Sequence, residues 1–488
     1  MANVLLTHSY FLRFDPKQWK QQQPYPPLGT IFAAAVLRQA GHDVSLFDTM
    51  FSASADEIIP VIENNKPGYL VIYDDGFNYL TKMCLTNMRE AAFRMAQSAK
   101  QKDCKVIVCS SDASDHYEKY LENGADFIVL GEGEIALLEL INNIEKPEES
   151  FESIPGIVFR KDDKTVLTGK REVLRDLDSL PMPAWDLVDI TPYKNAWLNN
   201  WGYFSINVAT TRGCPFKCNW CAKPIYGNRY NTRSPEKVVE EIKYLLEHFK
   251  PTHVWFCDDI FGLKPGWVNK FADLAEQQKL KFGFKIQCRA DLLLQENNIA
   301  ALARAGCESV WMGAESGSQK ILDAMDKGIK VEQVYEATKL LKKHKIKPAF
   351  FLQFGYPGEE MEDIHKTINM LLDLMPDDIG ISVSYPLPGT KFYEKVKEEL
   401  KEKTNWADSD ELVLMFRNTF SPKFYKELHR YVHKIYRKKQ AGTAFKNIVN
   451  APFSAQVYEF KKALSMLYYL PSSQVYKYKL KQHKKINA

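Results

Sequence analysis

Short apolar runs alternate with amphipathic stretches over the first 145 residues, and each amphipathic stretch has the spacing of a helix, as between Leu28 and Gln39. Strands that alternate with helices in this way predict a parallel sheet with helices on both faces. We therefore expect residues 1–145 to form a doubly wound, Rossmann-like α/β domain. The predicted strands are Val4 to Leu6, Val44 to Phe47, Tyr69 to Tyr73, Lys105 to Cys109 and Phe127 to Leu130.

In an open sheet of this kind, a ligand binds beyond the carboxyl ends of the strands. The predicted strands are followed by short polar segments that contain several acids and glycines. These segments are Thr7 to Tyr10, Asp48, Asp74 to Phe77, Ser110 to Asp115 and Gly131 to Glu134. We expect any ligand of the first domain to contact them.

The pattern becomes irregular over residues 146–203, which we interpret as a connector with a hairpin around Ile157 to Val166. A second series of strand-helix units then fills residues 204–404. Six consecutive units predict a full or partial (β/α) barrel, whose chemistry lies at the carboxyl ends of its strands. The predicted strands are Phe204 to Ala209, Thr252 to Phe256, Phe282 to Gln287, Ser309 to Met312, Pro348 to Gln353 and Ile379 to Ser382.

The composition is that of a folded intracellular protein. Of 488 residues, 45% are hydrophobic and 12% aromatic, which excludes a disordered or collagen-like chain. The apolar runs are shorter than the roughly 20 residues that span a bilayer, and no leader pattern follows Met1. Nine cysteines in such a chain indicate thiols that serve metal binding or chemistry in a reducing compartment, so the expected location is the cytoplasm.

The last part of the chain, residues 405–488, is predicted to be helical, and it is basic. Residues 421–488 hold 15 Lys and Arg against two acids, although the whole chain has a net charge of only +4. Three interpretations stay open: a helical lid with a solvated outer face, docking on an anionic membrane surface, and the less favoured binding of single-stranded nucleic acid. The tyrosines and basic runs that suit these surfaces are Tyr425, Tyr431, Tyr436, Tyr458, Tyr468, Tyr469, Tyr476, Tyr478, Arg437 to Lys439 and Lys484 to Lys485.

The strongest chemical signal is a CxxxCxxC triplet that directly follows the first strand of the second domain. Its thiols belong to Cys214, Cys218 and Cys221. Three thiolates on one tight loop can bind three irons of an iron-sulfur cube and leave the fourth iron open. A tetrahedral zinc site, the alternative, would want a fourth ligand nearby, and the next cysteine is Cys257.

Together with the preceding Thr211-Arg212-Gly213, this triplet resembles the signature of the radical S-adenosylmethionine (radical SAM) superfamily. The resemblance implies a four-iron four-sulfur cluster held by the three cysteines, with S-adenosylmethionine on the open iron. Reduction by the cluster would cleave this cofactor to methionine and a 5'-deoxyadenosyl radical. The resemblance also places Trp220, the aromatic residue before the last cysteine, near the adenine.

Later strand ends carry further segments that are similar to family motifs. By resemblance, Asp258 and Asp259 lie where an acidic segment receives the methionine ammonium, although either could instead cap the next helix. Glu315 and Ser316 lie in a GxExGS stretch that faces the ribose and methionine, where Ser318 could equally be an N-cap. Gly355 begins a glycine-proline turn beside the adenine. These segments run from Phe256 to Phe261, Gly313 to Ser318, Gly355 to Glu359 and Tyr385 to Thr390.

Other polar residues near the strand ends have open interpretations. Arg289 and Asp291 follow the third barrel strand and would either touch a cofactor or substrate or form an ordinary salt bridge. Cys257 and Cys288 lie at barrel strand ends, where a buried thiol is the favoured interpretation and contact with substrate the alternative. No catalytic side chain is singled out.

A parallel α/β domain before the barrel makes the chain resemble the cobalamin-binding branch of the superfamily, which includes methyltransferases and the anaerobic magnesium-protoporphyrin monomethyl ester cyclase. Pro26 to Gly29, Gly41 to Val44 and Gly131 to Glu134 carry this resemblance. The DxHxxG segment that donates a histidine to cobalt is absent, and Asp112 to His116 lacks its spacing. The resemblance therefore implies cobalamin without histidine ligation, and the alternative is a fold that only shapes the substrate pocket.

The sequence thus leads to three functional hypotheses. The first is cobalamin-dependent methylation of an unactivated carbon, the second is radical oxidation or cyclisation of a pigment- or lipid-like substrate, and the third is a cluster-binding protein without turnover. The resemblance implies a small-molecule substrate, lipid-like or tetrapyrrole, and an electron donor such as flavodoxin or ferredoxin. Contact with the inner membrane face through the basic region is the further expected partner, ahead of nucleic acid.

Overall fold

The computed structural model describes residues 1–146, 150–221, 223, 225–295, 297–400, 405–450 and 456–483. Two parallel sheets follow one another along the chain, and helices cover them. In the described residues, no helix combines the length and the apolar character needed to cross a bilayer.

The first sheet has seven strands in the order β2-β1-β3-β4-β5-β6-β7, of which the first five are parallel. The predicted Rossmann-like arrangement is confirmed. The hairpin β6-β7, predicted near Ile157, extends this sheet because β6 pairs antiparallel with β5. The strands are β1 Asn3–Thr7, β2 Asp43–Phe47, β3 Tyr69–Tyr73, β4 Lys105–Cys109, β5 Phe127–Val129, β6 Ile157–Lys161 and β7 Lys164–Leu167.

Helices pack on both faces of this sheet, as the alternating pattern predicts. They are α1 Pro16–Gln21, α2 Leu28–Gln39, α3 Ile58–Asn65, α4 Thr86–Lys100, α5 Ser111–Asp115, α6 Tyr117–Glu122 and α7 Glu134–Ile144. A further helix, α8 Thr191–Trp201, lies in the stretch that the sequence left irregular, and Gly202 ends it with φ 75°. The connector therefore contains a regular helix. The sequence did not predict it, because apolar residues recur only weakly with helical spacing along α8.

The second sheet is a partial barrel of six parallel strands in the order β15-β14-β13-β12-β11-β8. The strands are β8 Ser205–Val208, β11 His253–Phe256, β12 Gly283–Cys288, β13 Cys307–Glu315, β14 Lys347–Phe354 and β15 Asp378–Val383. A small antiparallel pair, β9 Thr211–Arg212 and β10 Asn231–Thr232, flanks the cysteine loop. The predicted strands are confirmed, and the sheet stays open between β8 and β15.

Amphipathic helices cover the outer face of the partial barrel. They are α9 Pro235–His248, α10 Trp267–Gln277, α11 Ala290–Leu293, α12 Asn298–Arg304, α13 Gln319–Ala324, α14 Val331–Lys343, α15 Met361–Leu374 and α16 Lys391–Val396. Local sequence fixes where they start. Ser234, for example, caps α9 by accepting a hydrogen bond from the Lys237 amide (3.2 Å), with Pro235 at the first helical position.

The last helices are α17 Pro422–Asn450, α18 Val457–Leu464 and α19 Met466–Gln482. The inner face of α17 is buried in the same apolar core as the barrel, through Phe424, Leu428 and Val432. That core also contains Phe32 and Phe77 from helices and loops of the first domain, whereas the strands of the first sheet pack into two further apolar clusters. The helical prediction for this region is confirmed, and α17 is a core element rather than part of a tail.

Candidate active site

The cysteine loop lies between the two sheets, just beyond β9. Gly213 has φ +78°, and a Cβ there would collide with the Arg229 carbonyl oxygen, so only glycine fits. None of the nine cysteines forms a disulfide, and the three of the loop are partly exposed whereas the other six are buried. Lys223 ties the loop together, because its Nζ donates to the carbonyl oxygens of Cys214 (3.0 Å) and Phe216.

The donor set of this loop fits an iron-sulfur cluster better than a single metal ion. A zinc ion needs all its ligands within about 2.3 Å of one point. Among the described residues, no three His, Cys, Asp or Glu side chains converge closely enough to hold one ion. In a cube, each cysteine binds a different iron and the thiolates stay further apart. Three partly exposed thiols on one loop suit that geometry.

Asp258 and Asp259, at the end of β11, point to different partners. Asp258 is buried, and its Oδ1 accepts from the amides of Thr210 (2.7 Å) and Thr211 (2.8 Å). Burial raises its pKa to about 6, although these hydrogen bonds lower it. Asp258 therefore anchors the approach to the cysteine loop. Neither acid caps the following helix, because Gly266 is the N-cap of α10.

Asp259 is the acid that faces the cysteine loop. Burial raises the pKa of Cys221 to about 12, and the nearby Asp259 carboxylate contributes to this shift. The carboxylate pairs with Lys82 Nζ at 2.6 Å. Lys82 lies on a short 3-10 helix, Thr81–Met83, that follows β3 of the first sheet. Lys82, from a loop of the first domain, thus pairs with Asp259, one of the two acids predicted to receive the methionine ammonium.

Glu315 is held in the same way by a buried lysine. It ends β13 in a left-handed conformation (φ 55°), and its Oε1 lies 2.8 Å from Lys327 Nζ. Burial lowers the pKa of Lys327, but the Glu315 carboxylate and, to a smaller extent, the nearby Cys218 raise it, so that the net shift is upward. Asp259 and Glu315 therefore both carry ammonium partners, and for Asp259 this is the chemistry that the resemblance assigns to its segment.

Arg289 and Asp291 form the salt bridge that was one of their two interpretations, with both nitrogen-oxygen distances at 2.9 Å. The guanidinium also lies 3.7 Å from the Phe216 ring centroid and 3.9 Å from Cys218 Sγ. It therefore supports the cysteine loop directly. Cys257 and Cys288 are buried, and each thiol donates to a backbone carbonyl, of Val208 and Phe261 respectively.

The side chains of Ser316 and Ser318 form hydrogen bonds that hold the loop after β13 against a neighbouring helix. Ser316 Oγ lies 3.0 Å from Thr367 Oγ1, and Ser318 Oγ donates to Asp363 at 2.6 Å. Both partners belong to α15. Ser318 occupies the N-cap position of α13, but its side chain makes no capping hydrogen bond.

Two buried polar atoms near the predicted adenine site have no hydrogen-bond partner among the described residues. They are Trp220 Nε1 in the cysteine loop and Glu359 Oε1 in the turn that begins at Gly355. The other oxygen of Glu359 accepts from the Gly355 amide at 2.7 Å, and burial raises the Glu359 pKa to about 8. Unsatisfied buried groups are costly. Their presence fits a site that receives a polar ligand.

The strand-end segments of the first sheet bond mainly to one another. Asp74 accepts from the amide and the hydroxyl of Ser9 at 2.7 and 2.9 Å. Asp48 accepts from His8 and Tyr193. Tyr10 Oη is buried without a hydrogen-bond partner among the described residues. The residues Ile225 and Tyr226 cover Gly76 and Gly131, and a Cβ on Gly76 would lie 3.2 Å from the Tyr226 hydroxyl.

A buried charge network links these segments to the cysteine loop. The Arg212 guanidinium pairs with Glu132 and, at 2.7 Å, with Glu134, and all three side chains are buried. It also lies over the rings of Phe77 and Tyr226 at 5.6 and 5.2 Å. The sequence placed Arg212 and the Gly131 to Glu134 loop in two separate motifs. No sequence signal identified Lys82, Lys327 or Tyr226.

Comparison with known protein families identifies the two domains that form this site. The family described as the radical SAM superfamily matches residues 208–371, which include the cysteine loop, and the B12 binding domain matches residues 20–141. The chain is a radical SAM enzyme with a B12-binding domain. Its cofactors are therefore a four-iron four-sulfur cluster, S-adenosylmethionine and cobalamin. The thiol set and the unpartnered Trp220 Nε1 fit the first two, and the glycine-bearing loops with the unpartnered Tyr10 hydroxyl fit the third.

Curated relatives of this radical SAM enzyme cover most of its length. An uncharacterised methyltransferase of Pyrococcus horikoshii is 27% identical over 78% of this chain and 81% of its own length. The anaerobic magnesium-protoporphyrin IX monomethyl ester cyclase of Synechocystis is 26% identical over 76% and 73%. The hopanoid C-3 methylase of Methylococcus capsulatus is 24% identical over 86% and 78%.

Solved structures share the fold of the radical SAM enzyme. OxsB, a cobalamin-dependent S-adenosylmethionine radical enzyme, superposes with a TM-score of 0.73 over 99% of this chain and 72% of its own, at 18% identity. The methyltransferase TsrM from Kitasatospora setae gives 0.66 over 82% and 75%, also at 18% identity. The order of the two sheets and the helical carboxyl-terminal region is thus that of known cobalamin radical SAM enzymes.

Proposed function

We propose that this enzyme methylates an unactivated carbon of a small-molecule substrate, with cobalamin as the methyl carrier. The observation that supports the proposal is the contact between the cysteine loop and the strand ends of the first sheet. Arg212, two residues before Cys214, pairs with Glu132 and Glu134, and Tyr226 packs over Gly76. The cluster site and the cobalamin site therefore lie on either side of one interface, where both cofactors can reach the same substrate.

Bound in these sites, the cluster and S-adenosylmethionine would supply a carbon-centred radical, and cobalamin would supply a transferable methyl group. The residues of the protein bind the cofactors and the substrate and orient them towards each other. Cys214, Cys218 and Cys221 hold the irons. Asp259, which holds Lys82 here, receives the methionine ammonium, and Glu315, which holds Lys327, faces the ribose and methionine.

The remaining predicted residues complete the same site. Trp220 contacts the adenine, and the unpartnered Nε1 supports this role. Gly355, with φ +77°, forms the turn that brings backbone to the adenine, and Glu359 holds that turn by accepting from the Gly355 amide. Asp258 and Ser316 position the loops through Thr210 and Thr367.

The names of the relatives support a large apolar substrate. One acts on magnesium-protoporphyrin IX monomethyl ester and another is a hopanoid methylase. We propose a tetrapyrrole or lipid-like substrate for this enzyme, and a flavodoxin or ferredoxin as its electron donor. Oxidative cyclisation, the reaction named for the Synechocystis relative, is the second candidate.

Anaerobic reconstitution with iron, sulfide and cobalamin tests the proposal. Reduced enzyme with S-adenosylmethionine that carries a deuterated methyl group is incubated with a cell extract, and 5'-deoxyadenosine and labelled products are measured by mass spectrometry. We expect both from the wild type, and neither from C218A, which lacks one iron ligand. C307A, which removes a buried thiol outside the loop, is the matched control and should behave like the wild type.

The outcomes separate the candidates. 5'-Deoxyadenosine together with a product in which a CD3 group replaces a hydrogen atom supports methylation. 5'-Deoxyadenosine with unlabelled, oxidised products would replace methylation by cyclisation or another oxidation. Wild-type enzyme that retains iron but forms no 5'-deoxyadenosine in any extract would leave a cluster-binding protein without turnover.

The outer carboxyl-terminal helices support a further partner, an anionic membrane surface. Large apolar side chains are exposed along residues 445–450 and 456–478, with Val457 72% and Leu467 79% exposed, beside Lys461, Lys462, Lys477 and Lys479. Apolar and basic side chains on one surface suit lipid headgroups and their acyl boundary. Lys484 and Lys485, which the sequence also assigns to this surface, lie outside the described residues.

A further inference from the structure

The inner face of the partial barrel carries a lysine that no part of the predicted site uses. Phe256 of β11 and Phe284 of β12 face outward, where both rings contact Phe271 of α10 at 5.7 and 6.1 Å. Successive residues of a strand point to opposite faces. Their neighbours Trp255 and Lys285, which pair in register, therefore face the inside of the barrel.

The Lys285 ammonium lies among aromatic rings. Its Nζ is 5.3 Å from the ring centroid of Tyr25, 5.2 Å from that of Trp255 and 6.0 Å from that of Trp197. Tyr25 and Trp197 come from the first half of the chain and close this end of the inner face. The rings provide cation-π attraction but no negative charge.

Among the described residues, no carboxylate lies within 4 Å of this ammonium. Asp378 of β15 is the acid whose charge acts on Lys285, and it pairs with Arg437 at 3.4 Å. Within the described parts of the chain, Lys285 Nζ has neither a hydrogen bond nor an ion pair within 4 Å. Lys285 is half-buried, and a charged side chain that is partly withdrawn from water is normally paired. The unpaired ammonium on the inner face of a barrel points to a partner that arrives with the substrate.

Two aromatic rings lie further along the same inner face as Lys285. Trp311 of β13 and Phe351 of β14 lie on the same inner face with ring centroids 4.8 Å apart. Gly380 of β15 leaves room for them, since a Cβ there would lie 3.3 Å from both rings. Trp255, Trp311 and Phe351 are only partly buried, so their faces remain available to a ligand.

We propose that Lys285 binds a carboxylate of the substrate, whose ring-bearing apolar body lies against Trp255, Trp311 and Phe351. A charge-assisted hydrogen bond from an ammonium in apolar surroundings discriminates strongly against a neutral analogue. The inference deepens the proposed function, because it takes the inner face of the barrel as the substrate side. It assigns the substrate class, an apolar ring system with a carboxylate, and makes Lys285 a specificity-determining residue.

Binding of a matched pair of probes tests this assignment without any radical chemistry. The probes are pyrene-1-butyrate and the neutral pyrene-1-butanol, and their affinities for the full-length reconstituted enzyme are measured by fluorescence anisotropy. We expect the wild type to prefer the butyrate by about tenfold or more. K285M should abolish this preference and leave butanol binding unchanged, whereas K285R should keep the preference.

K339M is the matched control, because Lys339 is exposed on α14, and it should bind both probes like the wild type. If the wild type binds pyrene-1-butyrate and pyrene-1-butanol with equal affinity, the assignment is overturned. This comparison uses only the wild type, so a folding defect of K285M cannot affect it. Equal butyrate binding by the wild type and by K285M also overturns it. Because no turnover is measured, failure here is distinct from failure of the methylation proposal, which the deuterated-methyl experiment tests.

Discussion

Three partly or fully buried lysines lie close to the proposed ligand sites. The ammonium groups of Lys82 and Lys327 lie on the acids Asp259 and Glu315, whereas Lys285 lies among rings without an acid. Burial lowers the pKa of Lys285 to about 8 from its ordinary 10.5, and the Asp378 carboxylate offsets part of that shift. Lys285 therefore changes its charge at a pH where ordinary lysines remain charged.

A pH dependence of carboxylate binding follows from this residue. The other groups that face Lys285 keep one form near neutral pH, because the pKa of His253 is lowered to about 3 and that of Tyr25 is raised well above 10. Above pH 8 the free enzyme loses the Lys285 proton, which a bound carboxylate must restore. We expect pyrene-1-butyrate affinity to fall by about tenfold per pH unit above that point.

Titration of probe affinity between neutral and alkaline pH measures this effect. The arginine of K285R stays charged, so its butyrate affinity should stay level across the same range. Butanol affinity should not change for either protein. A wild-type butyrate curve that is as flat as the butanol curve would contradict the prediction.

At the scale of elements, the carboxyl-terminal helices divide into a core helix and an outer pair. Tyr436 of α17 donates to the Pro376 carbonyl at 2.7 Å, and Asn418 just before α17 donates to that of Gly355. Helices α18 and α19 pack on α17 and leave apolar side chains exposed. The sequence could not separate these two roles, because both parts are rich in Tyr and Lys.

The exposed apolar face of the outer pair predicts membrane association that depends on named leucines. Leu464 and Leu467 are 66% and 79% exposed, and replacing both by serine should lower recovery of the full chain with phosphatidylglycerol vesicles by about tenfold or more in a flotation assay. Added salt should lower wild-type recovery, and neutral phosphatidylcholine vesicles should bind less.

The control replaces two leucines that are exposed elsewhere, Leu167 and Leu198, by serine. It should float like the wild type. Equal recovery of the wild type and the Leu464 and Leu467 double variant would remove the membrane from the list of partners and leave a helical lid with a solvated outer face.

At the scale of the whole molecule, one buried charge network joins the two sheets beside the cysteine loop. Arg212 is 4% exposed and faces two carboxylates, those of Glu132 and Glu134. Removing the arginine alone would leave two buried like charges without a counter-ion, which is among the most costly single changes in a protein.

R212M should therefore destabilise the enzyme by about 3–5 kcal/mol and lower its thermal midpoint, with loss of iron from the reconstituted protein. The matched control is R38M, because Arg38 pairs with Asp186 on the surface, where the two side chains are 42% and 56% exposed. Such a pair contributes about 0–1 kcal/mol. A thermal midpoint of R212M that equals that of R38M would show that the network does not hold the two sheets together.

The sequence by itself determined most of the strands and helices and the chemistry of the cysteine loop. Tyr69 to Tyr73 and Lys105 to Cys109 are strands at the predicted bounds, and the six barrel strands occur in the predicted order. Apolar period and cysteine spacing are properties of neighbouring residues, so a single sequence contains them. The motif also identified the superfamily, because three thiols at that spacing serve few purposes.

The tertiary structure decided which of the predicted side chains face the site and what meets them. Asp258 and Asp259 are neighbours, yet one anchors Thr210 and Thr211 while the other holds Lys82, which is 177 residues away. Arg212 and Glu132 are 80 residues apart, and Lys285 meets Tyr25 across more than half of the chain. Such pairs form only when the two sheets pack together, and no local pattern records a partner that lies so far along the chain.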